Sequence, residues 1–410
     1  MKYDVILVGG GAAGFFTAIN LAEQNKKLRI AILERGKEVL SKVRISGGGR
    51  CNVTHACFDP RELVQFYPRG EKELLGPFHQ FCSGDTISWF AERGVNLKIE
   101  EDGRMFPDTD SSETIINCFL GEAKRLKIDI ITGVSVQSFF KKEDTWKLDT
   151  SKGGYECCHL VITTGSNPKI WGLMQEQGHS IVEPVPSLFT FNVKDKRIKD
   201  LMGIAVPAEV KVKGTKLEAS GPLLITHWGM SGPAVLRLSA WGARILADKK
   251  YQFCITVNWV PQHSRESIFE DLQEVRKEQS KKNVIKRGLY DLSNRLWERI
   301  VLSCDIAEDA KWADLNNKHL QVLSAALTEA EYQVNGKSTF KDEFVTAGGI
   351  DLKEINFKTM ESRIQDNLYF AGEVMNIDAI TGGFNFQNAW TTSYIAALTI
   401  ANKNGESDEV

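Results

Sequence analysis

Apolar positions along the chain follow two periods, and the first switch between them comes early. Residues 3–8 (YDVILV) are a short apolar run that ends in Gly9, Gly11 and Gly14; a helix-spaced apolar pattern follows, and residues 30–33 form a second run ending at Glu34. This order predicts strand, tight turn, helix and strand. Residues 60–96 are mostly helix-patterned, with Phe78, Phe81, Trp89 and Phe90 at core spacing. Ser111 or Ser112 can cap a helix carrying Thr114, Ile115, Ile116 and Phe119. Residues 128–132 read as a further parallel strand, 134–140, 146–150 and 155–158 as an antiparallel meander, and 160–164 as a strand ending at Gly165. From about Pro184 the pattern changes: 189–193, 208–212, 216–219, 223–226 and 251–259 are short strand-like runs that predict a small barrel or sandwich. Residues 263–332 are helix-rich and charged, with Leu289, Leu292, Leu296 and Ile300, then Leu320, Leu323 and Leu327, on apolar faces. Residues 368–371 return to a strand, capped by Gly372 and Glu373, and 381–389 open a final helix.

At 410 residues, two or three domains are expected. A formal charge of −2 shows no electrostatic footprint for nucleic acid or an anionic membrane, so both are disfavoured as partners. No basic leader precedes the first strand and no apolar run approaches the ~20 residues a membrane helix needs, which predicts a soluble cytoplasmic protein. The eight cysteines are scattered without zinc-type pairs, and the vicinal Cys157 and Cys158 are poorly placed for a disulfide.

The first fifty-two residues carry the plainest chemistry. Gly9 permits the turn, Gly11 lets backbone N–H groups approach a pyrophosphate at the positive end of the helix, and Gly14 lets helix and strand pack closely. Glu34, twenty residues past Gly14, stands where a carboxylate accepts hydrogen bonds from an adenosine ribose. Residues 46–52 (SGGGRCN) then expose backbone beside an arginine, a thiol and an amide, a composition suited to a charged or planar cofactor. Near the C-terminus, Glu373 can hold a chain of hydroxyls, and the glycine-opened helix at 381–389 presents N–H groups to a polarisable ring edge. A first half at 1–52 and a closing carboxylate at 373 fit a flavin dinucleotide lying extended across one domain better than they fit NAD. His227, in the run 226–234 (THWGMSGPA), is a catalytic candidate, although Ser231, Gly232 and Pro233 are already explained as a helix start.

Taken together, G-x-G-x-x-G at 9–14, SGGGRCN at 46–52, DGRMFP at 102–107, THWGMSGPA at 226–234, TAGGI at 346–350 and the 372–385 region with its TGGFN run resemble the bacterial YhiN/BaiN-type flavoproteins across nearly the whole chain. The resemblance implies an α/β fold: a glutathione-reductase-like FAD-binding Rossmann domain made of residues 1–187 and 339–410, with an inserted β-barrel at 188–262 and a small helical domain at 263–338. It implies an NAD(P)/FAD-dependent oxidoreductase, with members associated with amine oxidation or reduction of conjugated substrates. By the same resemblance, Gly9, Gly11, Ala13 and Gly14 bind the pyrophosphate, Glu34 the ribose, and Lys42 with Gly47, Gly48, Gly49, Arg50, Cys51 and Asn52 the central part and flavin side. Gly165 lies against the cofactor, Glu373 near the ribityl chain, and Gly383, Phe384 and Asn385 at the isoalloxazine. Ala12, Arg35, Val134, Thr164 and Gly372 complete the expected contacts. Asn376, Ala379 and the run Thr391, Thr392 and Ser393 depart from the family pattern on the substrate side.

The expected activity is hydride transfer between non-covalent FAD and a small organic molecule, with Cys51, His227 and Asn385 as catalytic candidates. A single G-x-G-x-x-G leaves no standing NAD(P)H domain, so nicotinamide would be a transient co-substrate, or electrons would pass to oxygen. Five residues separate Cys51 from Cys57, where flavin disulfide reductases place four, so Cys51 is expected to contact flavin first and act as a redox thiol second. The competing classes are a flavin-dependent RNA-modifying enzyme, which the near-neutral charge opposes, and a non-enzymatic electron carrier.

Overall fold

Val5, Ile6 and Leu7 are fully buried, so strand Lys2–Val8 has an apolar side chain against each face of its sheet. Such a strand belongs in the middle of a parallel sheet covered on both sides. It pairs in parallel with Ile30–Glu34 on one edge and Gly153–Ile162 on the other; Asp129–Thr132 and Leu368–Phe370 extend the parallel set outwards. Short strands Ile355–Asn356 and Glu361–Ser362 finish one side, and Val136–Lys142 with Thr145–Thr150 join as an antiparallel pair. Among the described residues this sheet has nine strands. The computed structural model describes residues 1–338 and 345–406; the boundary expected after residue 338 and the chain beyond 406 lie outside them.

Register decides where the chemistry gathers. Val8 pairs with Leu33 and Ile162, and Ile162 with Phe370, so four strands end level with one another. The residues that follow them reach one carboxyl edge of the sheet, the usual ligand edge of a doubly wound fold. The expected meander differs in one respect: 155–158 and 160–164 are not separate strands. Gly153–Ile162 is continuous, pairing antiparallel with Thr145–Thr150 and in parallel with Lys2–Val8, because buried Cys157, His159 and Leu160 leave no turn residue to break it.

Helix Ala12–Gln24 crosses from the first strand to the second and packs on the final helix, Phe384–Glu406. Small residues make the approach possible, with Ala13, Ala371 and Ala389 forming one buried cluster. Hydroxyls seal it: those of Thr17 and Ser393 both donate to the Ala13 carbonyl, at 2.8 and 3.0 Å. Behind them Phe16 packs on Phe81, Trp89 and Trp390 with ring centres 4.6–5.6 Å apart, so the aromatics of 78–90 are core.

These elements belong to one compact unit, Met1–Val185 with Lys341–Val410; Pro186–Phe340 is the other. In the second unit Thr190–Val193, Gly229–Ser231, Glu218–Ile225, Ala205–Val212, Gln252–Asn258 and Ala330–Ser338 close a six-stranded barrel. Helices Arg265–Glu278, Asn294–Leu302 and Asn317–Thr328 lie between the last two strands in sequence. The separate helical domain expected at 263–338 is therefore revised. Ala330–Ser338 alternates buried and exposed positions and closes the barrel against Thr190–Val193 and Gln252–Asn258. Leu296, Trp297, Leu320 and Leu323 from the helices join Val257, Trp259 and Tyr332 of the barrel in a single hydrophobic core. The helices cannot bury their apolar faces alone, so barrel and helices form one unit. No described helix is long and apolar enough to cross a membrane, and no described cluster of side chains could hold a metal ion.

Candidate cofactor site at the carboxyl edge of the sheet

The turn after the first strand is shaped by contacts that exclude side chains. Gly9 has φ +115°, and a Cβ there would stand 2.6 Å from the Thr163 carbonyl oxygen; a Cβ on Gly14 would stand 2.1 Å from the Gly9 carbonyl oxygen. Helix Ala12–Gln24 is thereby pressed onto the strand. Gly11 is its N-cap, with no capping side chain and no acidic residue in the first turn. Its first N–H groups lack intrahelical acceptors and carry the positive end of the helix dipole. Gly9, Gly11, Ala12 and Ala13 line one cavity at this edge, as does Gly10. Gly14 lies behind the turn, where its role is packing.

Glu34 also lines the cavity, and its two carboxylate oxygens are held by backbone: Oε2 accepts from Gly10 N–H at 2.8 Å and Oε1 from Gly36 N–H at 2.6 Å. The carboxylate is therefore oriented before any ligand arrives, with lone pairs left to accept from a ligand's hydroxyl groups. Arg35 and Val134 share this end of the cavity, and Val134 is fixed by its N–H to the Glu34 carbonyl at 2.9 Å.

The cavity also takes lining from later in the chain, Thr164 and Gly165 after strand Gly153–Ile162 and Gly372 and Glu373 near the C-terminus, and Glu373 pairs with Lys42 at 2.8 Å across 331 residues of sequence. The Glu373 carboxylate raises the Lys42 amine, so Lys42 stays charged at neutral pH. Gly372, at φ +75°, sits where a Cβ would be 3.1 Å from Ala13 Cβ, which brings the last strand's turn onto the first helix. Lining residues that stand outside the sequence-derived set include Thr163, whose hydroxyl donates to the Val8 and Gly9 carbonyls, and Asn167 and Lys169. The signal for the latter pair was present: Asn167 caps helix Pro168–Glu176 through its side chain, a second helix start opening on the cavity.

Residues 46–52 form a tight loop, but its polar side chains are engaged by neighbouring parts of the protein. Gly47, Gly48, Gly49 and Cys51 all have left-handed backbone, φ +57°, +69°, +86° and +62°. A Cβ on Gly48 or Gly49 would meet nothing within 4 Å, so those glycines answer to conformation and leave open backbone. Arg50 is ion-paired with Glu100 and Asp110 and lies 3.9 Å over the Phe106 ring. The Asn52 amide, oriented to satisfy both its ends, donates to the Thr54 and Met105 carbonyls and accepts from Gly383 N–H at 3.0 Å. Gly383 is pressed on the Thr54 backbone, where a Cβ would be 2.5 Å from the carbonyl oxygen. Its N–H is thus engaged, and the ring-edge donor expected there is corrected.

The remaining expected flavin-side residues are similarly employed. Phe384 is buried and stacks on Phe66 and His55, 4.3 and 4.6 Å between ring centres. Asn385 lines the cavity, yet its amide exchanges hydrogen bonds with the Ala379 backbone at 2.9 and 3.2 Å, which makes it a positioning residue for the 376–383 turn. That turn is also held by Asp378, fully buried and ion-paired with Arg69. The first N–H groups of the final helix have no intrahelical acceptor, and Asn385 and Phe386 bring that end to the cavity. His55, absent from the sequence-derived site, places Nε2 3.1 Å from the Asp102 carbonyl and buries Nδ1; burial pushes its pKa down, so the ring is neutral near pH 7.

Cys51 is fully buried, and burial pushes its thiol up to about 12. It is free, as are the other seven cysteines. A protonated thiol away from the cavity is neither a nucleophile nor half of a redox pair, which corrects its place among the catalytic candidates. Cys51→Ser is expected to lose roughly 1–2 kcal/mol of stability by burying a hydroxyl while flavin reduction continues. Denaturant unfolding and anaerobic flavin reduction measure the two, and complete loss of turnover with FAD bound would overturn the assignment.

His227 belongs to the barrel unit, is exposed, and lines a different cavity with Lys194, Lys196 and Lys199. It is not among the residues lining the cavity at the sheet edge.

The residues present fit FAD. A free positive helix end faces the cavity, backbone-held Glu34 stands at one end, Lys42 and Glu373 stand beyond, and glycines hold the backbone close. The chain matches the family model described as HI0933-like protein Rossmann domain over residues 3–399. It is 29% identical over 408 residues to a ribosomal RNA dihydrouridine synthase of Escherichia coli, covering 97% of each chain. It is 26% identical over 420 residues to a 3-dehydro-bile acid delta(4,6)-reductase of Clostridium scindens, covering 97% of this chain and 98% of that one. Among solved structures, a 3-ketosteroid-delta4-(5alpha)-dehydrogenase of Rhodococcus jostii superposes with a TM-score of 0.52 at 11% identity, over 98% of this chain and 97% of the other, a likeness of fold.

Proposed function

The chain belongs to the HI0933-like Rossmann-domain family of FAD-dependent oxidoreductases, and from that premise we propose that it reduces a carbon–carbon double bond conjugated to a carbonyl, with the uracil ring of a uridine in RNA as the acceptor. The observation that carries the flavin reading is the cavity lined by an uncapped helix start, Glu34, Lys42 and Glu373. The acceptor class is supported by the names of two relatives that align end to end with this chain: one makes dihydrouridine, the other is a delta(4,6)-reductase. Both names describe saturation of a ring double bond.

Bound FAD would supply the hydride chemistry. In the balanced reaction a hydride adds to the carbon β to the carbonyl and a proton to the α carbon, and two electrons are drawn from a donor. We take NAD(P)H as that donor. Only one glycine fingerprint stands in the chain, so the nicotinamide would visit the site and leave. The chain's own residues bind and orient. The N–H groups of Gly11 and Ala12 would take the pyrophosphate, Glu34 the adenosine ribose, and the Lys42–Glu373 pair would flank the hydroxylated linker; Asn385, Arg69 and Asp378 keep the neighbouring turn in place. Eight unbridged cysteines fit a reducing compartment, consistent with a cytoplasmic protein.

The test is anaerobic. Protein with its flavin reduced by NADPH or NADH is mixed with a uridine-containing RNA or with a 4-en-3-one steroid, and flavin reoxidation is followed with mass analysis of the acceptor. Reoxidation with a gain of two hydrogens in uridine is expected. A reduced flavin that neither acceptor reoxidises would favour an electron carrier, and reaction with the steroid alone would move the substrate to small enones.

A further inference from the structure

The barrel unit carries a concentration of charge that the cofactor cavity does not use. Between strands Thr190–Val193 and Ala205–Val212 the chain reads KDKRIKD at 194–200, four cations against two anions. Geometry decides which of these are engaged. The Asp195 carboxylate accepts from the Arg197 guanidinium at 2.8 and 2.9 Å. The Asp200 carboxylate lies 4.0 Å from Arg299, and its carbonyl accepts from Arg295. Both aspartates are therefore matched by arginines. Lys194, Lys196 and Lys199 are exposed, and none pairs with a carboxylate among the described residues.

The three lysines line a cavity of about 420 Å³ together with Thr226 and His227. His227 and Trp228 form the tip of a two-residue hairpin: Thr226 N–H donates to the Gly229 carbonyl at 2.8 Å, and Gly229 N–H returns the bond at 3.3 Å. Val193 N–H donates to the Trp228 carbonyl at 3.0 Å, which fixes the tip beside Lys194. Trp228 is 59% exposed, the most exposed of the nine tryptophans, so its indole is open to a stacking partner. Unpaired cations beside a hairpin tip that carries an exposed indole suit a single-stranded nucleic acid, phosphates going to the lysines and a base to the ring. The overall charge of −2, which counted against a nucleic-acid partner when the chain was read as a whole, gives way here to the local charge. A phosphate responds to charges within a Debye length of ~10 Å, not to the sum over the chain.

We infer that Lys194, Lys196 and Lys199, with Trp228 and His227, form a binding surface for single-stranded RNA, its backbone on the lysines and one base on the Trp228 indole. The inference rests on RNA as the carrier of the reducible uracil. It is tested on the FAD-loaded full chain with a fluorescent uridine-rich RNA oligonucleotide, its affinity measured across a salt series. For the variant Lys194→Gln, Lys196→Gln, Lys199→Gln, the slope of log affinity against log salt should fall by about 2, the value for three phosphate contacts on a single strand. Trp228→Ala should bind roughly tenfold more weakly with an unchanged slope. FAD content and the thermal midpoint, expected unchanged, serve as controls on folding, and Trp228→Phe should recover much of the affinity. A wild-type protein that does not bind the RNA overturns the surface, as does a triple variant with the wild-type slope. So does full displacement of the RNA by anionic phosphatidylserine vesicles or inorganic polyphosphate at equal charge. Uridine reduction separates the two ideas: no reduced uridine from the wild type sinks the acceptor reading, whereas unchanged KM for RNA in the triple variant sinks the surface alone.

Discussion

Gly14→Ala is expected to yield protein that folds but is isolated without FAD. The added methyl would stand 2.1 Å from the Gly9 carbonyl oxygen and 3.0 Å from the Thr163 hydroxyl, and the first of these partners is backbone. Relief requires the helix start to move off the strand by an ångström or more. The same movement withdraws the Gly11 and Ala12 N–H groups from the pyrophosphate they are proposed to hold. Hydrogen bonds to a charged group contribute roughly 1.5–3 kcal/mol each; losing two weakens binding by roughly 10²–10⁴-fold. Helix Ala12–Gln24 keeps its buried face of Phe15, Phe16, Ile19 and Leu21, so the unit retains its core. Absorbance of the purified protein and FAD titration of the stripped form measure the effect. Wild-type flavin content in the variant would mean that Gly14 does not set the helix position.

Arg69→Ala is expected to cost stability more than any surface substitution in the chain. Asp378 is 0% exposed and Arg69 14% exposed, and their side chains form a two-pronged ion pair. Removing the guanidinium leaves a buried carboxylate without its cation, a change that costs about 3–5 kcal/mol. The backbones of the same two residues pair in an isolated bridge, so the 376–383 turn loosens with the loss. That turn is bound to Asn385 through Ala379 and to Asn52 through Gly383, which links Arg69 to the start of the final helix and to the 46–52 loop. Urea denaturation should show the loss, with flavin affinity falling in step. The double variant Arg69→Met, Asp378→Leu tests the cause: it should recover much of the stability, because removing both charges removes the desolvation penalty.

The parallel core of the nucleotide-binding unit was legible because its signals are local. The apolar run at 3–8, the three glycines and Glu34 lie within thirty-four residues of the start, and each constrains its neighbours through one strand, one turn and one helix. The register of Val8, Leu33 and Ile162 then follows from burial on both faces. Ala330–Ser338 was less legible. Its alternation is clear once seen, but a charged helical stretch precedes it, and a lone strand has meaning only beside the barrel edges it closes. Cys51 misled for the opposite reason. A thiol after three glycines looks exposed, yet the left-handed loop turns it inward, and burial removes its reactivity.

By itself the sequence determined the order of strand, turn and helix, the glycines that a dinucleotide turn requires and the carboxylate at the second strand's end, since these depend on residues close together in the chain. Only the tertiary structure decided which polar groups are free to act. It paired Lys42 with Glu373 across 331 residues, engaged Gly383 N–H with Asn52, and matched Asp195 and Asp200 with arginines so that three lysines stood unpaired. A charge or a hydrogen-bonding group gains its function from what it is left to bind. That is settled by long-range packing, which no local pattern records.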